Sequence, residues 1–170
     1  MQDLEPQLVE QIPRLRRYAR ALMLGDGLAA DDLVQDCLER ALSRLDTWRR
    51  GSNLRAWLFT IMHNIYVNQV RRNINGPKFI AMEGEHQVSC QDTTADGLLE
   101  MEELQQALAE LPMDQREILL MVAVEGLKYR EVASILGIPE GTVMSRLARA
   151  RERLRKRMTG DNTEHLRRVK

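Results

Sequence analysis

Apolar residues recur every three or four positions along most of this chain, and that spacing constrains its fold more than any other feature. From Gln7 to Met23, the residues Leu8, Ile12, Leu15, Ala19, Leu22 and Met23 draw one stripe on a helix that Gly25 and Gly27 close. A second helix is expected from Ala29 to Leu45. Its apolar face holds Leu33, Val34, Cys37, Leu38, Ala41, Leu42 and Leu45, with Asp31, Asp32, Asp36 and Glu39 largely off it. The aspartates near its start complement the helix dipole. Gly51 and Ser52 precede a third helix, Asn53 to Arg72, with Leu54, Trp57, Leu58, Ile61 and Ile65 inward. Aromatics make up only 4% of the residues. The apolar content is therefore carried by Leu, Ala, Ile, Val and Met, which suit helices better than sheets. The expected fold is all-α.

The period breaks off between Asn73 and about Asp96, where Asn, Gly, Pro, Glu, His, Gln, Ser, Asp and Thr surround scattered apolar residues. So long a patternless stretch is uncommon inside one compact domain. Two small helical domains are expected: a three-helix bundle over 1–73, a flexible linker over 74–97, a four-helix domain with a helix-turn-helix over 98–158, and a frayed polar tail over 159–170. Helices of the second domain are expected at Leu98–Leu111, Asp114–Val124, Tyr129–Leu136 and about Gly141–Arg157. Pro112 breaks the first two apart. Asp114 is the expected N-cap, with Glu117 three residues on in capping-box spacing.

The formal net charge is zero, so any nucleic-acid surface must come from local concentration of positive charge. From Thr142 to Met158, Arg146, Arg149, Arg151, Arg153, Arg155, Lys156 and Arg157 face only Glu152, whereas Asn75 to Glu100 carries Lys78 against five acids. Cys37 and Cys90 stand far apart, outside any CxxC pattern. The start shows no basic stretch followed by an apolar run of roughly 7–15 residues, so no secretory leader is expected, and no apolar run approaches membrane-spanning length. A cytosolic protein without structural disulfides is expected. His63, His86 and Cys90 fall short of a zinc ligand set, and Cys37 reads as a small core residue. No phosphate loop, nucleophile elbow or clustered carboxylates appear. The expectation is no catalytic residue, no metal and no cofactor.

The segment from Arg130 to Leu147 reads as two helices joined by a tight turn at Gly137-Ile138-Pro139-Glu140. Val132, Ala133 and Leu136 face inward, and Gly137 can take the left-handed backbone that ends the first helix. On the second, Val143, Leu147, Ala150 and Leu154 bury one stripe. Ser145, Ala148, Arg149, Glu152 and Lys156 then lie opposite, with Met144 and Arg146 on the flanks. Short polar and arginine side chains at the front of a helix suit major-groove readout. Arg151, Arg153, Arg155 and Arg157 are placed for phosphates.

Leu111-Pro112 with Arg116-Glu117, Gly126-Leu-Lys-Tyr-Arg-Glu-Val-Ala and Gly141-Thr-Val-Met-Ser-Arg-Leu-Ala-Arg-Ala-Arg resemble the carboxy-terminal DNA-binding region of the sigma-70 family. Asp32-Leu-Val-Gln-Asp and Gly51-Ser-Asn-Leu-Arg-Ala-Trp-Leu are similar to amino-terminal segments of its extracytoplasmic-function branch. The resemblance implies a first domain binding core RNA polymerase and the minus-10 promoter element, a second binding the minus-35 element, and control by an anti-sigma factor. It places Leu33, Gln35 and Asp36 against polymerase; Gln35 and Asp36 are polar positions beside the apolar stripe, whereas Leu33 lies on it and reads equally as core. On the third helix Thr60, Asn64, Asn68, Arg71 and Arg72 form a polar, basic face suited to unpaired minus-10 DNA. Trp57 and Phe59 could stack on bases, although Trp57 lies on the inward stripe. Met144, Ser145, Arg146, Ala148, Arg149 and Arg151 are the minus-35 candidates. Met144 departs from the family's usual Lys or Arg and offers only apolar contact, for instance with a thymine methyl group. Two other readings compete: a dimeric helix-turn-helix regulator, and a sigma mimic that sequesters an anti-sigma factor without touching DNA.

Overall fold

A computed structural model describes residues 4–49, 51–75 and 95–168. Among them are seven α-helices and one short 3-10 turn, with no strand. The helices are α1 (Leu4–Leu22), α2 (Gly27–Leu42), α3 (Leu54–Asn75), α4 (Ala95–Ala109), α5 (Met113–Ala123), α6 (Tyr129–Leu136) and α7 (Glu140–Arg168).

Local chemistry fixes several boundaries. Asp26 accepts from the Ala29 amide at 3.0 Å and caps α2. That helix stops at Leu42 instead of running to Leu45, and Leu45–Thr47 forms the 3-10 turn. The Ser43 hydroxyl donates to the Arg40 carbonyl at 3.0 Å, occupying an acceptor at the helix end, and Leu42 is left exposed. Asn53 caps α3 by accepting from the Ala56 amide at 3.1 Å.

Three expectations need correction in the second half. Pro112, not Asp114, occupies the N-cap position of α5. A proline, lacking an N–H, suits a helix start, so the helix begins one residue early. Asp114 falls in the first turn and Glu117 turns inward, so the capping-box assignment fails. The segment 159–170 is expected to fray, whereas α7 extends to Arg168, through Thr159-Gly-Asp-Asn-Thr, residues that favour helices poorly. The linker, with His86 and Cys90, lies mostly outside the described residues, although α3 and α4 extend into its two ends.

The two halves pack against each other. One hydrophobic cluster runs from Leu15, Tyr18 and Leu22 of α1, through Leu33 and Cys37 of α2 and Leu58, Phe59 and Met62 of α3, to Ile118, Met121, Val132, Val143 and Leu147 beyond. The Tyr18 and Phe59 rings meet edge to face, centroids 5.0 Å apart. Helix α1 packs on α5, and α3 packs on α6. Gly25 (φ 88°) lets the α1–α2 turn approach α4: a Cβ there would stand 2.7 Å from Gln105 Nε2.

Polar groups line the seam between the halves. Glu125 is buried and accepts from Arg17 Nε and Nη2 at 3.1 and 2.9 Å. The Glu125 backbone carbonyl accepts from Arg55 Nη2. Glu117, also buried, meets His63 Nδ1 at 2.7 Å. Asn53 Nδ2 donates to Glu131 Oε1 at 2.9 Å. The Tyr18 hydroxyl and Gln115 Oε1 are buried without a hydrogen-bond partner among the described residues. Burial and the nearby Glu117 carboxylate hold the Tyr18 phenol well above its usual range, so it stays protonated.

Candidate nucleic-acid and polymerase interfaces

Helix α6 and helix α7 meet through a turn whose backbone explains its sequence. Gly137 has φ 65° and ψ 34°, the left-handed conformation that ends α6. The Glu131 carboxylate reaches back to the Lys128 amide at 2.8 Å and steadies the start of α6. Val143, Leu147 and Ala150 of α7 are then buried against α5 and α6. Met144, Ser145, Ala148, Arg149 and Arg151 are exposed on the remaining circumference.

The cations of α7 separate into two sets. Arg149, Arg151 and Arg153 are exposed and face no acid among the described residues. Arg155 and Lys156 share Glu152 at 3.0 and 3.4 Å, and the hydrogen bond from Arg155, aided by one from Lys156 and by both charges, holds its carboxyl below the usual range. Arg157 reaches Glu110 at 3.0 Å. Arg155 and Arg157 are thus less available for phosphates than their position in the sequence implies. Arg146 is half-buried, and its Nε lies 3.3 Å from Asp114 Oδ2.

In the amino-terminal half the assigned residues also divide. Leu33 is fully buried under α1 and α3, so it is a core residue and not a contact point; it belongs to the same stripe as Val34 and Cys37. Gln35 and Asp36 are exposed. Gln35 donates to Glu39 at 2.9 Å and Asp36 accepts from Gln69 at 3.4 Å. Asn64, Asn68, Arg71 and Arg72 are exposed along α3. Thr60 is half-buried, and its hydroxyl donates to the Ala56 carbonyl of its own helix at 2.9 Å, so it is withdrawn from that face. Phe59 is buried against Tyr18 and cannot stack on a base. Trp57 is half-buried.

Cys37 donates to the Leu58 carbonyl at 3.5 Å, and burial pushes its thiol up to about 12. Among the described residues no cluster of His, Cys, Asp or Glu could hold a metal ion, and no helix is long and apolar enough to cross a membrane.

The sequence reading missed the seam and the tie between Asp114 and Arg146. A signal for part of the seam was present: Glu117 and Glu125 bound the apolar run from Ile118 to Val124, a place where a buried acid needs a partner. The partners themselves lie 54 and 108 positions away, beyond the reach of any local pattern.

Residues 8–63 match the family model described as the Sigma2 domain of PhyR. Residues 101–154 match the one described as Sigma-70, region 4. The chain is 37% identical over 163 residues to the ECF RNA polymerase sigma factor EcfG of Rhodopseudomonas palustris strain TIE-1, covering 95% of this chain and 88% of that protein. Among solved structures it is similar to the sigma factor RpoE in complex with the anti-sigma factor NepR from Bartonella quintana, with TM-score 0.77, 33% identity and coverage of 94% and 98%. It is also similar to the PhyRSL–NepR complex from Sphingomonas sp. Fr1, with TM-score 0.63, 25% identity and coverage of 91% and 88%.

Proposed function

This chain belongs to the extracytoplasmic-function branch of the sigma-70 family, and from that premise we infer that it is a cytoplasmic transcription initiation factor that binds core RNA polymerase, directs it to promoters and is held in check by an anti-sigma factor. RNA synthesis belongs to the polymerase, and no catalytic residue is assigned to this chain. The exposed faces of Gln35 and Asp36 on α2 meet polymerase. Asn64, Asn68, Arg71 and Arg72 take unpaired minus-10 DNA. Met144, Ser145, Arg146, Ala148, Arg149 and Arg151 take the minus-35 duplex.

The observation that carries this reading is the outer face of α7, where Arg149 and Arg151 stand exposed, without an ion-pair partner among the described residues, behind the left-handed Gly137 turn. Run-off transcription with purified core polymerase on a promoter library tests it. The expected result is product from a subset of promoters sharing two spaced elements. No product above core polymerase alone would overturn it.

Engaging both elements at once requires the seam to part. Minus-35 and minus-10 are separated by about 25 base pairs, roughly 85 Å at 3.4 Å per step, whereas a single body of this size has a radius of gyration of about 15 Å. The arrangement with α3 against α6 is therefore the off-promoter form.

The similarity of residues 8–63 to the PhyR Sigma2 domain supports a second reading, a mimic that occupies an anti-sigma factor. A mimic has no use for unpaired arginines on α7. Transcription by the reconstituted holoenzyme separates the two.

A further inference from the structure

We propose that Asp114 is a positioning residue for promoter readout: it fixes the Arg146 guanidinium so that Arg146 reads a guanine, and it does so from a helix outside the helix-turn-helix pair. The proposal rests on the reading of α7 as the duplex-reading helix.

Three observations carry it. First, both oxygens of the Asp114 carboxylate are engaged. Oδ1 accepts from the Gln115 amide at 3.0 Å, which anchors the group to the first turn of α5, and Oδ2 lies 3.3 Å from Arg146 Nε. Because α5 packs along α7, the carboxylate is held rigidly relative to the front of the recognition helix.

Second, the tie uses the inner nitrogen of the guanidinium. The two terminal amino groups have no partner among the described residues. They are the parallel donors that pair end-on with guanine O6 and N7. An arginine free in solvent must lose its rotamer freedom on binding; one already tied at Nε has lost much of it beforehand.

Third, charge argues for base edges over phosphates. Arg146 and Asp114 together are neutral, and a carboxylate beside a phosphate is repelled. The pair adds little to non-specific attraction, which falls instead to Arg149, Arg151 and Arg153, exposed cations that form no ion pair among the described residues. What a neutral, fixed pair contributes is geometry, and geometry discriminates between bases.

The test uses holoenzyme reconstituted from the full chain and core polymerase, with run-off product sequenced from templates randomised across the minus-35 element. Arg146→Ala should relax preference at one base pair. Asp114→Asn keeps the Oδ1 acceptor but loses the charge, and it should relax the same base pair by about threefold or more. The double variant should be no more relaxed than Arg146→Ala alone. Asp114→Glu should recover part of the preference. Arg146→Lys keeps the charge without the fork, so it too should relax that base pair. Arg149→Ala should shift preference at a different position. Unchanged preference in Asp114→Asn, or a uniform loss over all templates, overturns the proposal while Arg149→Ala still upholds the α7 reading. If Arg146→Ala and Arg149→Ala both leave preference unchanged, the α7 reading falls and the proposal with it. Should Asp114→Asn fail to assemble, Arg146→Lys decides: preference retained there overturns the proposal.

Discussion

Leu33 and Gln35 are two residues apart on α2, yet one is fully buried and the other exposed. Their substitution should therefore have unlike consequences. Leu33→Ala should destabilise the fold by about 2–5 kcal/mol, the cost of a lost side chain and the cavity it leaves. Gln35→Ala should change stability by no more than about 0.5 kcal/mol and weaken assembly with polymerase instead. Urea denaturation and gel filtration with core polymerase read the two effects separately. Cys37 gives a second residue-scale prediction. The nucleophile is the thiolate, and a thiol pushed up to about 12 by burial holds almost none at pH 8. Iodoacetamide should therefore leave Cys37 unmodified in the folded chain and label it once urea is added. Peptide mass mapping distinguishes it from Cys90, and labelling of Cys37 under native conditions would contradict the burial.

At the scale of elements, the turn between α6 and α7 makes the sharpest demand. A Cβ on Gly137 would touch nothing within 4 Å, so Gly137→Ala should cost only the strain of a left-handed backbone, roughly 1–2 kcal/mol. Gly137→Asn should cost less, because asparagine tolerates that region. Thermal melts of the three proteins give the order directly. These helices were largely legible beforehand, since Val143, Leu147 and Ala150 repeat at the helical period and Gly137 marks the stop. Boundaries were less so. Ser43 ends α2 through a side-chain bond to Arg40, and Pro112 starts α5 one residue early; both outcomes turn on local competition that an apolar period does not encode. Of the candidate site, exposure on α7 followed from the period. So did the burial of Leu33, which lies on the apolar stripe of α2; the half-burial of Thr60 did not, because it depends on what packs beside it.

At the scale of the whole molecule, the seam decides how the halves behave together. Glu125 sits buried between Arg17 and Arg55, with its backbone carbonyl held by Arg55 as well. Removing the cations while keeping the acid leaves a buried charge uncompensated. Arg17→Met with Arg55→Met should cost about 3–5 kcal/mol. Adding Glu125→Leu to that pair should restore most of it, since an apolar group of similar size can replace a buried ion pair without loss. Guanidinium denaturation of the double and triple variants tests this, and a triple variant no more stable than the double would show that the seam is not governed by charge.

The same seam bears on how such chains can be recombined. Arg17, Arg55 and His63 come from one half and Glu117 and Glu125 from the other, so neither half is neutral toward a replacement of its mate. Grafting the amino-terminal half onto a carboxy-terminal half that lacks Glu117 and Glu125 would strand Arg17, Arg55 and His63 without their acids, and the hybrid would carry the mismatch in its closed form even where every promoter-facing residue is intact. Exchange between relatives should therefore succeed when these five positions travel as a set, which makes them a compatibility code written inside the protein instead of on its DNA-binding surface.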